Sequence, residues 1–144
     1  MSVVIDANLV AAMVLPLPYS EQATHKITTW KRSGVGLLAP LLLEYEVVAV
    51  LRKAVAAGWL TTGTAVEALH RIAALNIHYT PPTLELHEQA LHWAERLGHS
   101  KTYDAQYLAL AEHRQAELWT ADKRLANGAR QAAVAWVHWL GENP

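Results

Sequence analysis

The chain has 144 residues, 52% of them hydrophobic and 17% charged, with 12 Lys and Arg set against 13 Asp and Glu. That is one domain's worth of material, apolar enough to bury its own core and too apolar to stay disordered. The absence of cysteine excludes disulfide scaffolds, Cys-based zinc sites and thiol nucleophiles, and a net charge of −1 excludes a polybasic nucleic-acid coat.

Val3-Val4-Ile5 is a short unbroken apolar run, the pattern of a parallel strand buried on both faces. No Lys or Arg precedes the apolar stretch Leu9 to Leu17, and Asp6 stands where a leader would carry its basic region. A soluble, cytoplasmic protein without a membrane segment is the expectation. A short helix follows the strand and ends before Pro16 and Pro18, and Ser20 is placed to cap a helix reaching Arg32. Leu37-Leu38-Ala39 predicts a second strand, and Pro40 suits the first turn of a long helix that runs to Ala57 and stops at Gly58. The next elements are a helix from Thr62 to Leu75 and a strand at Ile77-His78-Tyr79 closed by Pro81-Pro82. Thr83 caps a helix to Leu97 ahead of Gly98, and another helix spans Tyr103 to Arg114. Leu118-Trp119-Thr120 predicts a strand, a helix follows through Ala129, and Val134 to Val137 forms the last strand. Strands alternating with helices imply an α/β fold, a doubly wound parallel sheet of four or five strands flanked by helices, in one domain over residues 1–144. Sheets of this kind place their chemistry beyond the carboxyl ends of the strands, where the strand order reverses.

Only three aspartates occur, Asp6, Asp104 and Asp122. Asp6 ends the first predicted strand, Asp122 lies two residues past Thr120, and Asp104 falls in the first turn of a helix. Each alone reads equally well as a cap or turn residue. Helical phase puts Asp104 on a stripe with Tyr107, Leu108 and Ala111, pointing inward. Glu44 shares a stripe with Val47, Val48 and Leu51 and is expected to face inward too, whereas Glu46 lines up with Ala49, Val50 and Lys53 and is expected to be solvated. Clustered inward carboxylates cannot all ionise without a cation, and no lysine shares these stripes. A hard divalent ion, Mg²⁺ or Mn²⁺, would satisfy them and leave coordination free for a phosphate. Asn8 and Thr120 lie two residues from Asp6 and Asp122 and could orient ligands or water from behind, or be a turn amide and a strand hydroxyl.

The segments Val3-Val4-Ile5-Asp6-Ala7-Asn8, Pro40-Leu41-Leu42-Leu43-Glu44, Tyr103-Asp104-Ala105-Gln106-Tyr107-Leu108-Ala109 and Thr120-Ala121-Asp122-Lys123-Arg124-Leu125 together resemble the PIN-domain family, and within it the VapC-like toxins of prokaryotic toxin–antitoxin pairs. The proline-rich Leu15-Pro16-Leu17-Pro18 departs from the family pattern. The resemblance implies an acidic pocket at the ends of the central strands and a ribonuclease dependent on Mg²⁺ or Mn²⁺. It maps the family's acids to Asp6, Glu44, Asp104 and Asp122, as catalytic and metal-binding residues. It also implies a homodimer and a small antitoxin whose tail blocks the pocket.

Taking the four candidate acids away from a net charge of −1 leaves +3 on the rest of the chain. Arg52, Lys53, Lys101, Lys123 and Arg124 lie in or near the motif segments and could hold RNA phosphates. The eight histidines show no zinc-binding spacing, since His87 and His92 are five residues apart and do not share a helix face. Tyr45, Trp59 and Trp93 are candidates for contacts with a second copy or an antitoxin. A phosphatase using Asp6 as nucleophile would need a second Asp where Asn8 stands. A receiver-like pocket would need an Asp at the end of a middle strand, and a non-catalytic PIN-like module would be expected to have lost an acid. A solitary RNA-processing nuclease is the alternative to a toxin.

Overall fold

A continuous apolar strand can be satisfied only inside a sheet covered on both sides, and the first strand sets the architecture. The computed structural model describes residues 1–142. In it β1 (Ser2–Ile5) is followed by α1 (Ala7–Val14), α2 (Ser20–Arg32), β2 (Gly36–Pro40), α3 (Leu42–Ala56), α4 (Thr62–Ala73) and β3 (His78–Thr80). The chain then continues through α5 (Leu84–Leu97), α6 (Tyr103–Arg114), β4 (Glu117–Thr120), α7 (Lys123–Gln131) and β5 (Val137–Trp139). All five strands are parallel, in the order β3-β2-β1-β4-β5. The chain winds outward from β1 through β2 to β3, then returns to the other side of β1 for β4 and β5. The reversal falls between β1 and β4, whose register pairs Val4 with Leu118 and Ile5 with Trp119.

Val3, Val4, Ile5 and Leu118 are all buried, as central strands of a doubly covered sheet must be. Helix α6 crosses β1, β2 and β4 and is buried over six of its twelve residues, with Ala105, Ala109 and Ala111 allowing close approach and Leu108 and Leu110 filling the gaps. Helix α5 packs along α6, and its ends follow local rules: the Thr83 hydroxyl accepts from the Leu86 amide at 3.1 Å, and Gly98 closes it with φ +70°. Among the described residues no helix is long and apolar enough to cross a membrane.

Four local expectations are corrected. Pro40 ends β2 and does not open α3, since β2 pairs through Pro40 with Thr80 of β3. Ser20 is the first residue of α2, and its hydroxyl is engaged in the preceding turn, accepting from the Leu17 amide at 2.8 Å and donating to the Leu15 carbonyl. The last strand begins at Val137, because Val134 is consumed in closing α7: Ala133 takes φ +61° and the Val134 amide donates to the Ala129 carbonyl at 2.9 Å. Trp93 is buried, its ring edge-on to Trp136 at 5.6 Å and its indole N–H donating to Glu112, so it offers no outer surface; Tyr45 and Trp59 do, at 71% and 63% exposure.

Leu108→Ala should cost about 2–5 kcal/mol in urea unfolding, since the helix–sheet interface cannot collapse around the lost side chain. Leu84→Ala, at 76% exposure on α5, should stay within about 0.5 kcal/mol of wild type.

Candidate active site

Asp6 ends β1 and caps α1, its Oδ1 accepting from the Leu9 amide at 2.9 Å. Its Oδ2 accepts from the hydroxyl of Thr120, the last residue of the neighbouring strand β4. Thr120 Oγ1 in turn accepts from the Asp122 amide at 2.9 Å, and Asp122 caps α7 by accepting from the Arg124 amide at 2.9 Å. Asp6 is 5% exposed and Thr120 is fully buried, so the ends of the two strands at the reversal point are joined by neutral donors. Thr120 therefore acts by holding Asp6.

Asp104 lies in the first turn of α6 and faces the same space. One turn further on, the buried Tyr107 hydroxyl donates to Glu46 Oε1 on α3 at 2.6 Å. Burial pushes Asp6 up to about 7, with the Asp104 charge adding to it and the bonds from Thr120 and Leu9 opposing. Burial also raises Glu46, with Tyr107 opposing and Asp104 adding, and it raises Asp104, with Asp122 adding and His99 and Arg124 opposing. Asp104 is thus the charge neighbour common to Asp6, Glu46 and Asp122. Burial and the surrounding carboxylates raise the Tyr107 phenol as well, so it remains a donor.

Glu44 is not part of this cluster, which corrects the expectation from helical phase. The buried stripe of α3 is Leu43, Val47, Leu51 and Ala54. At about 100° per residue, Glu44 falls on one flank of that stripe and Glu46 on the other. Glu44 is exposed in a separate groove with Val47, Val48, Leu69, Ile72 and Tyr79. Glu46 enters the acidic site. The signal was present in the sequence: the stripe Glu46, Ala49, Val50, Lys53 was identified as the polar flank, and a cleft open to solvent is where a polar flank leads.

Asn8, Glu46, Lys53, Asp104 and Asp122 line an open cleft of about 780 Å³, together with His99, Lys101 and Arg124. A recess of about 190 Å³ leads inward to Asp6 and Tyr107 past Asn8, Glu46, Lys53 and Asp104. Lys53, Lys101 and Arg124 thus lie on the cleft lining. Arg52 is exposed but outside the cleft lining, and Lys123 is turned toward Trp139, its ammonium 5.0 Å from the ring centroid.

Comparison with known proteins agrees with this fold. The profile of the PIN domain matches residues 3–131. The chain belongs to the PIN-domain family. Among solved structures, the PAE2754 protein of Pyrobaculum aerophilum superposes with a TM-score of 0.69 at 21% identity, covering 97% of this chain and 92% of that one. VapC20 of Mycobacterium tuberculosis, a toxin that cleaves the sarcin–ricin loop, superposes with a TM-score of 0.66 at 16% identity, covering 87% and 93%. At these identities the likeness is one of fold. No curated protein matches the sequence significantly.

The donor set of this PIN domain suits a hard divalent cation: four carboxylates, three of them raised, of which, among the described residues, Asp122 alone forms an ion pair, its Oδ1 3.8 Å from Arg124 Nε. Among the described residues no three of His, Cys, Asp and Glu form a ready-made cage. A site of this kind fits Mg²⁺ or Mn²⁺, which take one or two carboxylates and keep several waters, better than a metal that demands a full set of protein ligands.

The raised Asp6 has a thermodynamic consequence in cation-free protein. Its native value of about 7 lies above the unfolded 3.8, so its ionisation opposes folding increasingly from about pH 4 to about pH 7. Asp6→Asn should therefore stabilise the protein in EDTA by up to about 4 kcal/mol above pH 7, with the gain vanishing near pH 4. Urea titrations of both proteins at pH 4, 6 and 8 check this; a gain independent of pH would contradict it.

Proposed function

We propose that this protein is an endoribonuclease dependent on Mg²⁺ or Mn²⁺, acting as the toxin of a toxin–antitoxin pair. PIN domains are in general nucleases. The observation that carries the proposal is the convergence of Glu46, Asp104 and Asp122 on one open cleft rimmed by Lys53, Lys101 and Arg124, with Asp6 in the recess that Glu46 and Asp104 also line.

In this proposal the carboxylates of Asp6 and Asp104 are the principal cation ligands, with Glu46 and Asp122 completing or orienting the site. A bound Mg²⁺ or Mn²⁺ would acidify a water and offset charge on the scissile phosphate. The chain's own residues do the rest. Lys53, Lys101 and Arg124 hold the RNA backbone by its phosphates, which fixes strand position without reading sequence. Glu46 and Asp104 border the recess in which an attacking water would be held. Thr120 and the Leu9 amide keep Asp6 oriented toward the recess. Because attack comes from water, the RNA 2′-hydroxyl need not be the nucleophile.

Toxin activity, a small antitoxin whose tail enters the acidic cleft, a homodimer and a cytoplasmic location follow from the VapC-like resemblance. The likeness to VapC20, itself a toxin, supports the toxin reading at the level of fold. A short partner gene directly upstream supports the toxin assignment, and its absence shifts the proposal to a solitary RNA-processing nuclease.

Glu46→Gln and Asp104→Asn should each lower Mn²⁺-stimulated RNA cleavage by more than ~100-fold, beyond the loss usual for groups behind the metal ligands. Glu44→Gln should cleave at the wild-type rate. EDTA should stop the reaction and Mg²⁺ or Mn²⁺ restore it; restoration by Zn²⁺ alone would point to histidine chemistry and against this mechanism.

A further inference from the structure

The acids of the cleft are not held equally. Asp6 is fixed twice, by the Leu9 amide and the Thr120 hydroxyl, and it sits on a short rigid junction between β1 and α1. Asp122 caps its own helix. Glu46 is different: its longer side chain leaves the flank of α3, and among the described residues its one side-chain tie is to Tyr107. Released, it could turn along the open cleft toward Lys53, one wall shared by the cleft and the recess.

Tyr107 is well placed to prevent this. It is 2% exposed, so its ring is locked in the packing of α6, and only its hydroxyl reaches out. It also lies three residues after Asp104, on the same face of the same helix. One turn of α6 therefore carries both a cleft carboxylate and the donor that fixes its neighbour from α3. We infer that Tyr107 is a positioning residue that holds Glu46 through Oε1 and so keeps its carboxylate beside Asp104, where the two would hold a divalent cation. One turn of α6 thus carries Asp104 and the donor that fixes where the Glu46 carboxylate points. The tie is neutral, so it orients Glu46 without cancelling the charge a cation needs; a lysine at position 107 would have cancelled it. Outer hydrogen bonds of this kind typically govern metal affinity by about 10–100-fold.

This inference rests on the metal-dependent nuclease proposed above, and the test separates the two. Mn²⁺ uptake is measured by calorimetry on the full chain for wild type, Tyr107→Phe, Glu46→Gln and the double variant, with the fold checked by circular dichroism. Tyr107→Phe keeps the ring and removes the hydroxyl. It should bind Mn²⁺ about 10–100-fold more weakly, and the double variant should be no weaker than Glu46→Gln alone, since both changes remove one interaction. In cleavage assays the half-saturating Mn²⁺ concentration should rise by a similar factor, while kcat at saturating Mn²⁺ returns close to wild type. A tyrosine that merely satisfied its own buried hydroxyl would alter the melting temperature and leave Mn²⁺ affinity unchanged. Equal affinity of Tyr107→Phe and wild type, or fully additive losses in the double variant, overturns the role of Tyr107. No uptake by the wild type overturns the nuclease proposal itself. Should Tyr107→Phe fail to fold, Tyr107→Met serves instead: it removes the hydroxyl and fills the space with a flexible apolar side chain. Affinity falling to the Glu46→Gln level supports the inference, and wild-type affinity overturns it.

Discussion

A carboxylate buried at the end of the central strand is the constraint around which this site is built. Asp6 can stay there only if donors meet it, and they come from two directions: the Leu9 amide at the start of α1 and the Thr120 hydroxyl at the end of β4. Thr120 passes the connection on to the Asp122 amide, so a chain of short-range bonds links the ends of the two strands to the N-termini of α1 and α7. Asp104 opens α6 in the same region. Three helices thus direct their N-terminal ends toward the acids, and the unpaired amides there partly balance the negative charge. The reversal of strand order between β1 and β4 makes this convergence possible, because it leaves room above those two strands that no crossover helix fills.

Electrostatics separates holding from neutralising. The inner acids are tied by neutral groups: hydroxyls of Thr120 and Tyr107 and the amide of Leu9. Such ties orient a carboxylate while leaving its charge in place, which is why burial and mutual repulsion still raise Asp6, Glu46 and Asp104. Lysine or arginine in those positions would have closed the site as a set of internal ion pairs. The cationic contact among the hydrogen-bonded acids is at the rim, where Arg124 is largely exposed beside Asp122. Among the described residues the inner acids therefore keep a negative field that no internal ion pair cancels, suited to a small hard cation, and the rim keeps positive charge suited to a polyanion.

Much of this architecture was legible in the sequence because local signals and tertiary demands agreed. The unbroken run Val3-Val4-Ile5 marked a strand covered on both faces, Thr83 and Gly98 bracketed α5, and Tyr103 to Arg114 emerged with the expected ends. Where the two diverged, the tertiary demand won. Pro40 has the φ a helix start favours, yet strand pairing with β3 claims it, and Val134 has strand propensity but is spent closing α7. Of the acids, Asp6, Asp104 and Asp122 were legible as strand-end and helix-start residues facing a reversal point. Helical phase alone points to Glu44, because it shares a stripe with apolar residues, whereas the acid that lines the cleft is Glu46. A cleft is a solvent-facing space, and the side chains beside it on a helix lie on the flank of the buried stripe, not within it. Tyr107 was recognised as an inward residue, but which acid its hydroxyl meets depends on how α3 and α6 approach, a relation spanning 61 residues that no local pattern encodes.

Helix α3 shows how one element can serve three surfaces at once. Leu43, Val47, Leu51 and Ala54 bind it to the core; Glu46, Ala49, Val50 and Lys53 face the acidic recess; Glu44 and Val48 border a groove shared with α4. Two glutamates two residues apart therefore experience unlike worlds, one half-buried among like charges and one in water. The same geometry gives a chain of net charge −1 a local positive rim of the kind the proposed RNA substrate would need. Lys53 reaches the cleft from the same flank that delivers Glu46, and Lys101 and Arg124 reach it from the loop before α6 and the start of α7. A polyanion approaching the cleft meets these charges before it meets the acids, within a distance at which screening by salt is incomplete. Association then depends on the arrangement of a few local charges and not on their sum, so a nearly neutral protein can bind a phosphate backbone at one face and release it readily elsewhere.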